Sequence, residues 1–184
     1  MNNTKIHKIT KDIQNIIDSN KSFYFFDNKI EWEFFEDSNL SKFAYVDRTL
    51  KLHLNINSIL RSYDINQPLW IEHFIFHEIR HIYQRRLIIK YNFGEIPHNT
   101  MEAETVEQYQ YEFDNYIDLN NDKIGYYSQL IEIEAFTFAY AAMYYKYGTI
   151  DYIKLPPLLQ ESQISQIADK FIKSFLSAFN EKRC

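Results

Sequence analysis

Hydrophobic residues follow a helical spacing at the start of the chain and an alternating one after residue 22. Apolar side chains between Thr4 and Asp18 recur every three or four positions, with Thr4 as the expected N-cap. From residue 22 to 55, two pairs of short apolar runs flank polar turns at Asp27–Lys29 and at Asp47, and Leu50–Leu54 alternates strictly. We therefore predict a small antiparallel sheet over about residues 22–55.

Helical spacing returns after residue 55. A short helix is predicted over Asn57–Tyr63, and a helix of about six turns over Leu69–Tyr91, where no glycine or proline interrupts the pattern. Further helices are predicted over Met101–Ile117, Ser128–Tyr147 and a closing segment that includes Ile164–Phe179. A small sheet followed by helices indicates an α+β fold. Because the sequence has only 3 glycines and 4 prolines, we predict a single domain over residues 1–184.

Composition and charge narrow the classes of partner. The chain of 184 residues is 46% hydrophobic and carries a net charge of −5, which suits a folded core and disfavours binding to nucleic acid. No apolar stretch approaches the roughly 20 residues of a membrane-spanning helix. The amino-terminal residues lack the apolar core of a signal peptide, and the one cysteine, Cys184, cannot form an internal disulfide. We therefore expect a cytoplasmic protein with no membrane partner.

Two histidines four residues apart carry the clearest chemical signal. His77 and His81 fall within the long predicted helix in the sequence His-Glu-Ile-Arg-His, so that both imidazoles lie on one helical face and can hold one Zn²⁺. Glu78 stands beside this pair, where it can accept a proton from a water activated by zinc and pass it to a leaving amine. The pattern therefore predicts zinc-assisted hydrolysis.

A catalytic zinc site usually has a third protein ligand, and an acidic residue downstream is the candidate. Glu134 is favoured because it lies in an almost wholly apolar predicted helix, where an unpaired carboxylate is costly. Glu132 is the alternative, and it lies about 200° around the helix from Glu134, so only one of the two can face the metal. Glu102 and Glu104 are also possible, but their segment is polar enough to be a solvated helical face.

Three segments together resemble gluzincin-type zinc metallopeptidases, most closely the small bacterial ImmA/IrrE-type family. Leu50–Asn55 resembles the strand that precedes the active helix, His77–His81 the metal-binding helix, and Glu134–Ala139 the family's Glu-Ala-x-x-Phe-Ala helix. The resemblance implies a minimal zincin-like fold in which the small sheet packs on the active-site helix and further helices. It also implies Zn²⁺ held by His77, His81 and Glu134, and a protein or peptide substrate.

The expected function is therefore peptide-bond hydrolysis by a zinc metallopeptidase in which Glu78 is the general base. A zinc-stabilised interaction protein without turnover is the alternative, and a closed fourth metal position would favour it. His73, one turn before His77, is a candidate substrate contact or support for the metal ligands. The remaining candidates could stabilise an oxyanion; they are His98, Tyr126, Tyr127 and Tyr140. His7 and His53 are predicted to be ordinary exposed residues.

Overall fold

The computed structural model describes residues 3–24, 29–38, 43–64, 69–160 and 162–181. Within these described residues, eight α-helices and three strands make an α+β fold, as predicted. The helices are α1 (Asn3–Ser19), α2 (Ile56–Asp64), α3 (Leu69–Asn92), α4 (Met101–Asp114), α5 (Lys123–Ser128), α6 (Leu130–Tyr147), α7 (Pro157–Gln160) and α8 (Ser162–Glu181). The strands are β1 (Trp32–Phe35), β2 (Ala44–Val46) and β3 (Leu52–Asn55).

The chain divides into two compact units, residues 1–75 and residues 76–184. The boundary falls inside α3, which is one continuous helix of 24 residues. A single domain over residues 1–184 therefore remains a prediction.

In the first unit, the three strands form a mixed sheet in the order β1-β3-β2. β2 pairs with β3 in antiparallel orientation, but β1 pairs with β3 in parallel, with Trp32 opposite Leu52 and Phe35 opposite Asn55. The prediction of a wholly antiparallel sheet is therefore wrong. β1 and β2 lie on opposite edges of β3, so β1 does not form a hairpin with β2, the strand that follows it in the chain.

The central position of β3 explains why both of its faces are buried. Leu52 and Leu54 are fully buried, and His53 on the other face is only 8% exposed. The imidazole of His53 stacks on the Tyr45 ring and lies within 3.1 Å of the Glu33 and Asp47 carboxylates. The prediction that His53 is an ordinary exposed residue is therefore wrong, whereas His7 is exposed as expected.

Some local predictions for the first unit are wrong, and others concern residues that the structure does not describe. Thr4 lies inside α1 and does not cap it, and Phe23 ends a 3₁₀ turn (Lys21–Phe23) where a strand was predicted. The predicted turn residues Asp27 and Asn28 lie outside the described residues, as does Cys184. At the start of α3, the ring of Phe74 stacks on that of Phe43, which precedes β2, at 4.4 Å between centroids.

The second unit is helical, and α6 is its most buried element. Two-thirds of α6 is buried, including Glu132 and Glu134, and the helix ends at Gly148, whose φ of 73° favours glycine. The Phe138 ring of α6 packs on Phe175 and Phe179 of α8. The long predicted helices α3 and α6 are confirmed, while α4 ends at Asp114, three residues before the predicted Ile117.

The beginning of α6 is fixed by a carboxylate from α4. Glu112 is buried, and its Oε2 accepts a hydrogen bond from the backbone N–H of Ile131 at 2.9 Å. Gln108 donates to the other oxygen of the same carboxylate at 2.7 Å. A carboxylate at a helix N-terminus satisfies a free N–H group and interacts favourably with the helix dipole. Glu112 therefore helps to set where α6 starts, and with it the positions of Glu132 and Glu134.

Candidate metal centre

α3 brings His77 and His81 together, as their spacing predicts. Their Nε2 atoms lie 3.2 Å apart and their ring centroids 4.8 Å apart. Both side chains are buried, His77 at 4% exposure and His81 at 7%. The His77 ring also contacts Phe136 of α6, so an apolar ring covers one side of the pair. The two nitrogens therefore point to a common place that is shielded from bulk water.

Glu132 of α6 completes a group of three ligand atoms with these histidines. Glu132 Oε2 lies 3.4 Å from His77 Nε2, and Glu132 Oε1 lies 3.5 Å from His81 Nε2. One ligand atom from each of the three residues lies within 4.8 Å of the other two. Glu132 is 1% exposed, and its Oε2 has no hydrogen-bond partner among the described residues. A buried carboxylate oxygen without a hydrogen bond is costly unless a cation occupies the space beside it.

The separations of these atoms fit a metal ion. Two ligands of a tetrahedral zinc site with bonds of about 2.0–2.1 Å lie about 3.4 Å apart. The three separations in this cluster are 3.2, 3.4 and 3.5 Å. Two imidazoles and one carboxylate are also a donor set that zinc accepts. The residues present therefore fit a zinc ion.

The structure does not bring Glu134, the favoured third ligand of the sequence analysis, to this cluster; the carboxylate that lies beside the two histidines is that of Glu132. The Glu134 carboxylate accepts three hydrogen bonds at 2.7 Å, from Arg80, Gln84 and Tyr109. The physical reason is the buried guanidinium of Arg80, which needs a carboxylate partner within the protein. Side chains two positions apart on an α-helix point about 200° away from each other. Because Glu134 faces Arg80, Glu132 is the one that faces the two histidines.

The two other acidic candidates lie on the surface. Glu102 and Glu104 are exposed in the first turn of α4. A solvated helical face, together with the favourable place of acidic side chains at a helix N-terminus, accounts for them.

Glu78 is buried beside the cluster, at 6% exposure. Burial raises the pKa of its carboxyl group, an effect that the charges of His77 and His81 oppose and that of Glu132 reinforces. For Glu132, burial also favours the neutral form, but His81 and His77 together hold the pKa of its carboxyl below the usual range. Glu132 is therefore stabilised as an anion, whereas Glu78 is held closer to its neutral form.

Tyr116 reaches the cluster from the segment between α4 and α5. Its hydroxyl donates to Glu132 Oε1 at 2.9 Å, although 47% of the residue is exposed. The neighbouring residue, Ile117, is held by the Gln129 side chain, which accepts from the Ile117 N–H and donates to the Ile117 carbonyl. These two hydrogen bonds fix the backbone that carries Tyr116.

The other proposed polar contacts divide between the site and the rest of the chain. The rings of Tyr126 and Tyr127 both lie against Phe136, the residue that covers His77. Burial and the Glu132 charge raise the pKa values of both hydroxyls. His98 pairs with the Tyr91 hydroxyl at 2.8 Å, and Tyr140 lines a separate cleft near the end of α6. His73 is buried among ring contacts with Trp70 and Phe74.

Four residues of the site were missed from the sequence: Arg80, Gln84, Tyr109 and Tyr116. Arg80 offered a usable signal, because an arginine between two histidines on a buried helix requires a carboxylate partner. Gln84 offered a weaker signal, since it lies one turn after Arg80 and three residues after His81. The tyrosines could not be selected among the 15 in the chain.

No protein-family model, no curated protein and no solved structure matches this chain. Among the residues that the structure describes, no helix is both long enough and apolar enough to cross a membrane.

Proposed function

We propose that this chain is a zinc-dependent metallopeptidase whose metal ligands are His77, His81 and Glu132. The observation that carries the proposal is the set of three buried ligand atoms with separations of 3.2, 3.4 and 3.5 Å. A carboxylate oxygen without a hydrogen bond belongs to that set, which supports a cation in preference to a purely hydrogen-bonded cluster.

Glu78 is the general base and acid of the proposed reaction. Zinc in such a site supplies Lewis acidity, which brings the pKa of a water to about 7. The Glu78 carboxylate accepts the proton from that water and donates it to the nitrogen of the leaving amine. Burial raises the pKa of Glu78, and a raised pKa suits a group that must both accept and return a proton near neutral pH.

Two further residues shape the environment of this reaction. Tyr116 donates to Glu132 Oε1 and keeps that carboxylate in place, while the Phe136 ring excludes water from one side of His77. The proposed substrate is a protein or peptide, as the resemblance to ImmA/IrrE-type peptidases implies, and the proposed location is the cytoplasm.

The first experiment measures zinc per chain in protein purified without chelator. We expect about one zinc per chain, with loss of zinc in His81→Ala and in Glu132→Ala. The matched control is Glu104→Ala, which removes an exposed carboxylate of α4 and should leave zinc unchanged. Absence of zinc from the unaltered chain, even after dialysis against it, would contradict the proposal.

A non-catalytic zinc-stabilised interaction module is the second candidate. The observation that favours it is the burial of all four side chains, which are between 1% and 7% exposed: His77, Glu78, His81 and Glu132. This candidate predicts bound zinc but no cleavage of any member of a peptide library. The metallopeptidase predicts cleavage that Glu78→Gln slows by about 10²–10⁴ while zinc remains bound.

A further inference from the structure

A hydrogen-bonded chain leads from the candidate metal cluster to the buried Arg80–Glu134 pair, and Gln84 is its central member. Gln84 is fully buried on α3, one turn after His81. Its Oε1 lies 2.8 Å from His81 Nδ1, and its Nε2 lies 3.1 Å from the Ile131 carbonyl and 2.7 Å from Glu134 Oε2. All the hydrogen-bonding atoms of this amide are therefore engaged inside the protein.

The chemistry of these partners fixes the direction of the Gln84 amide. A backbone carbonyl and a carboxylate held by Arg80 can only accept hydrogen bonds, so the NH₂ of Gln84 must face Ile131 and Glu134. Its carbonyl oxygen then faces His81. Because that oxygen can only accept, His81 Nδ1 must carry the proton.

The tautomer of His81 follows from this constraint. A neutral imidazole protonated on Nδ1 has its lone pair on Nε2. His81 Nε2 is the atom that faces His77 Nε2 and Glu132 Oε1. When His81 is neutral, as a metal ligand must be, the network thus keeps the proton on Nδ1 and directs the Nε2 lone pair to the place that a metal would occupy.

We infer that Gln84 is a positioning residue that holds His81 in the Nδ1-protonated tautomer, and that Glu134 and Arg80 act by orienting Gln84. The inference rests on the proposed function, because the lone pair has a role only if a metal binds there. On this inference, Glu134 supports the metal centre by orienting Gln84 and does not bind the metal itself. Partners that orient a metal-binding histidine typically contribute 10–100-fold to metal affinity.

His77 provides an internal contrast. Its Nδ1 is buried and has no hydrogen-bond partner among the described residues, whereas His81 Nδ1 is paired with Gln84. The two ligands should therefore differ in how strongly their Nδ1 protons are held.

The test compares zinc affinity in two variants that each remove one hydrogen bond to Glu134 Oε2. Gln84→Met also removes the partner of His81, whereas Tyr109→Phe leaves it in place. Competition with a chromophoric chelator should show affinity lowered about 10–100-fold in Gln84→Met. We expect Tyr109→Phe to stay within about threefold of the unaltered chain, since the His81 contact is intact.

A second measurement needs no variant. Nitrogen-15 NMR of the histidines in the zinc-loaded chain should show a proton on His81 Nδ1 that exchanges with water more slowly than the one on His77. Zinc bound through His81 Nδ1, or equal zinc affinity in Gln84→Met and the unaltered chain, would overturn the inference. Lack of zinc binding by the unaltered chain would overturn the proposed function itself, and the two failures are thereby distinguished.

Discussion

At the scale of single residues, the two buried glutamates of α6, Glu132 and Glu134, have different partners and different proposed roles. Glu132 faces two imidazoles, and Glu134 faces a guanidinium, an amide and a phenol. Both carboxylates are stabilised as anions, but by different partners. Glu132 lies in a cluster with room for a metal ion, whereas Glu134 pairs with the guanidinium of Arg80. Substitutions at the two positions should therefore have different consequences.

Replacing Glu134 should affect folding more than chemistry. Glu134→Gln leaves the buried Arg80 guanidinium without a compensating charge, and loss of one partner of a buried pair costs about 3–5 kcal/mol. The free energy of unfolding, measured with urea in the presence of chelator, should fall by this amount. Glu104→Gln on the exposed face of α4 is the control and should change stability by less than about 0.5 kcal/mol. A fall of similar size in both variants would show that the Arg80–Glu134 pair contributes no more to stability than an exposed carboxylate does.

Replacing Glu78 should affect chemistry and spare the metal. Glu78→Gln keeps the size of the side chain but removes the proton acceptor, so the turnover number for a cleaved peptide should fall by about 10²–10⁴. Zinc content should stay at that of the unaltered chain, because Glu78 is not among the three clustered ligands. Turnover that survives the substitution would remove Glu78 from the mechanism.

At the scale of elements, the start of α6 depends on a side chain from α4. Glu112→Ala leaves the buried N–H of Ile131 without its acceptor, which should lower the free energy of unfolding by about 1–3 kcal/mol. Glu112→Gln retains a carbonyl oxygen that can accept the same hydrogen bond, so its effect should be smaller. Urea denaturation of the two variants tests this, and equal losses would argue that charge at the helix N-terminus matters more than the hydrogen bond.

Helices were predicted well from the sequence because their signals are local. α3 contains no breaker between Leu69 and Asn92, and α6 stops at Gly148, where a positive φ is required. Strand pairing is not a local property. Nothing in the sequence of β1 shows that Trp32–Phe35 runs parallel to β3, because the alternation of side chains is the same in both directions.

The candidate site was predicted in part for the same reason. His77, Glu78 and His81 lie on one helix, so their relation follows from helical geometry alone. The choice between Glu132 and Glu134 depends on which side of α6 faces Arg80, and α6 is apolar on nearly all sides. Burial cost applied equally to both glutamates, so it could not separate them.

At the scale of the whole molecule, all three candidate ligands belong to the unit of residues 76–184. His81 on α3 and Glu132 on α6 are separated by 50 residues in the sequence. An ion bound by both would therefore cross-link two distant segments of the chain. Zinc should therefore raise the thermal unfolding midpoint of this unit. At a free zinc concentration 100 times the dissociation constant, the stabilisation is about 2.7 kcal/mol.

Calorimetry with zinc and with chelator measures this shift. His81→Ala should unfold at the same temperature under both conditions, because one of the three ligands is gone. A shift that persists in this variant would indicate binding elsewhere on the chain.

The two glutamates also bear on how α6 finds its orientation during folding. If the helix turned about its axis by roughly 200°, Glu134 would face the histidines and Glu132 the guanidinium, so the charges alone allow two nearly equivalent arrangements. Packing favours the native rotation, in which Ile133 and Phe136 are buried together with Leu159 and Ala168. Weakening that apolar contact, for example at Ala168, should let a misrotated helix persist as a kinetic trap, slowing refolding more than it lowers equilibrium stability.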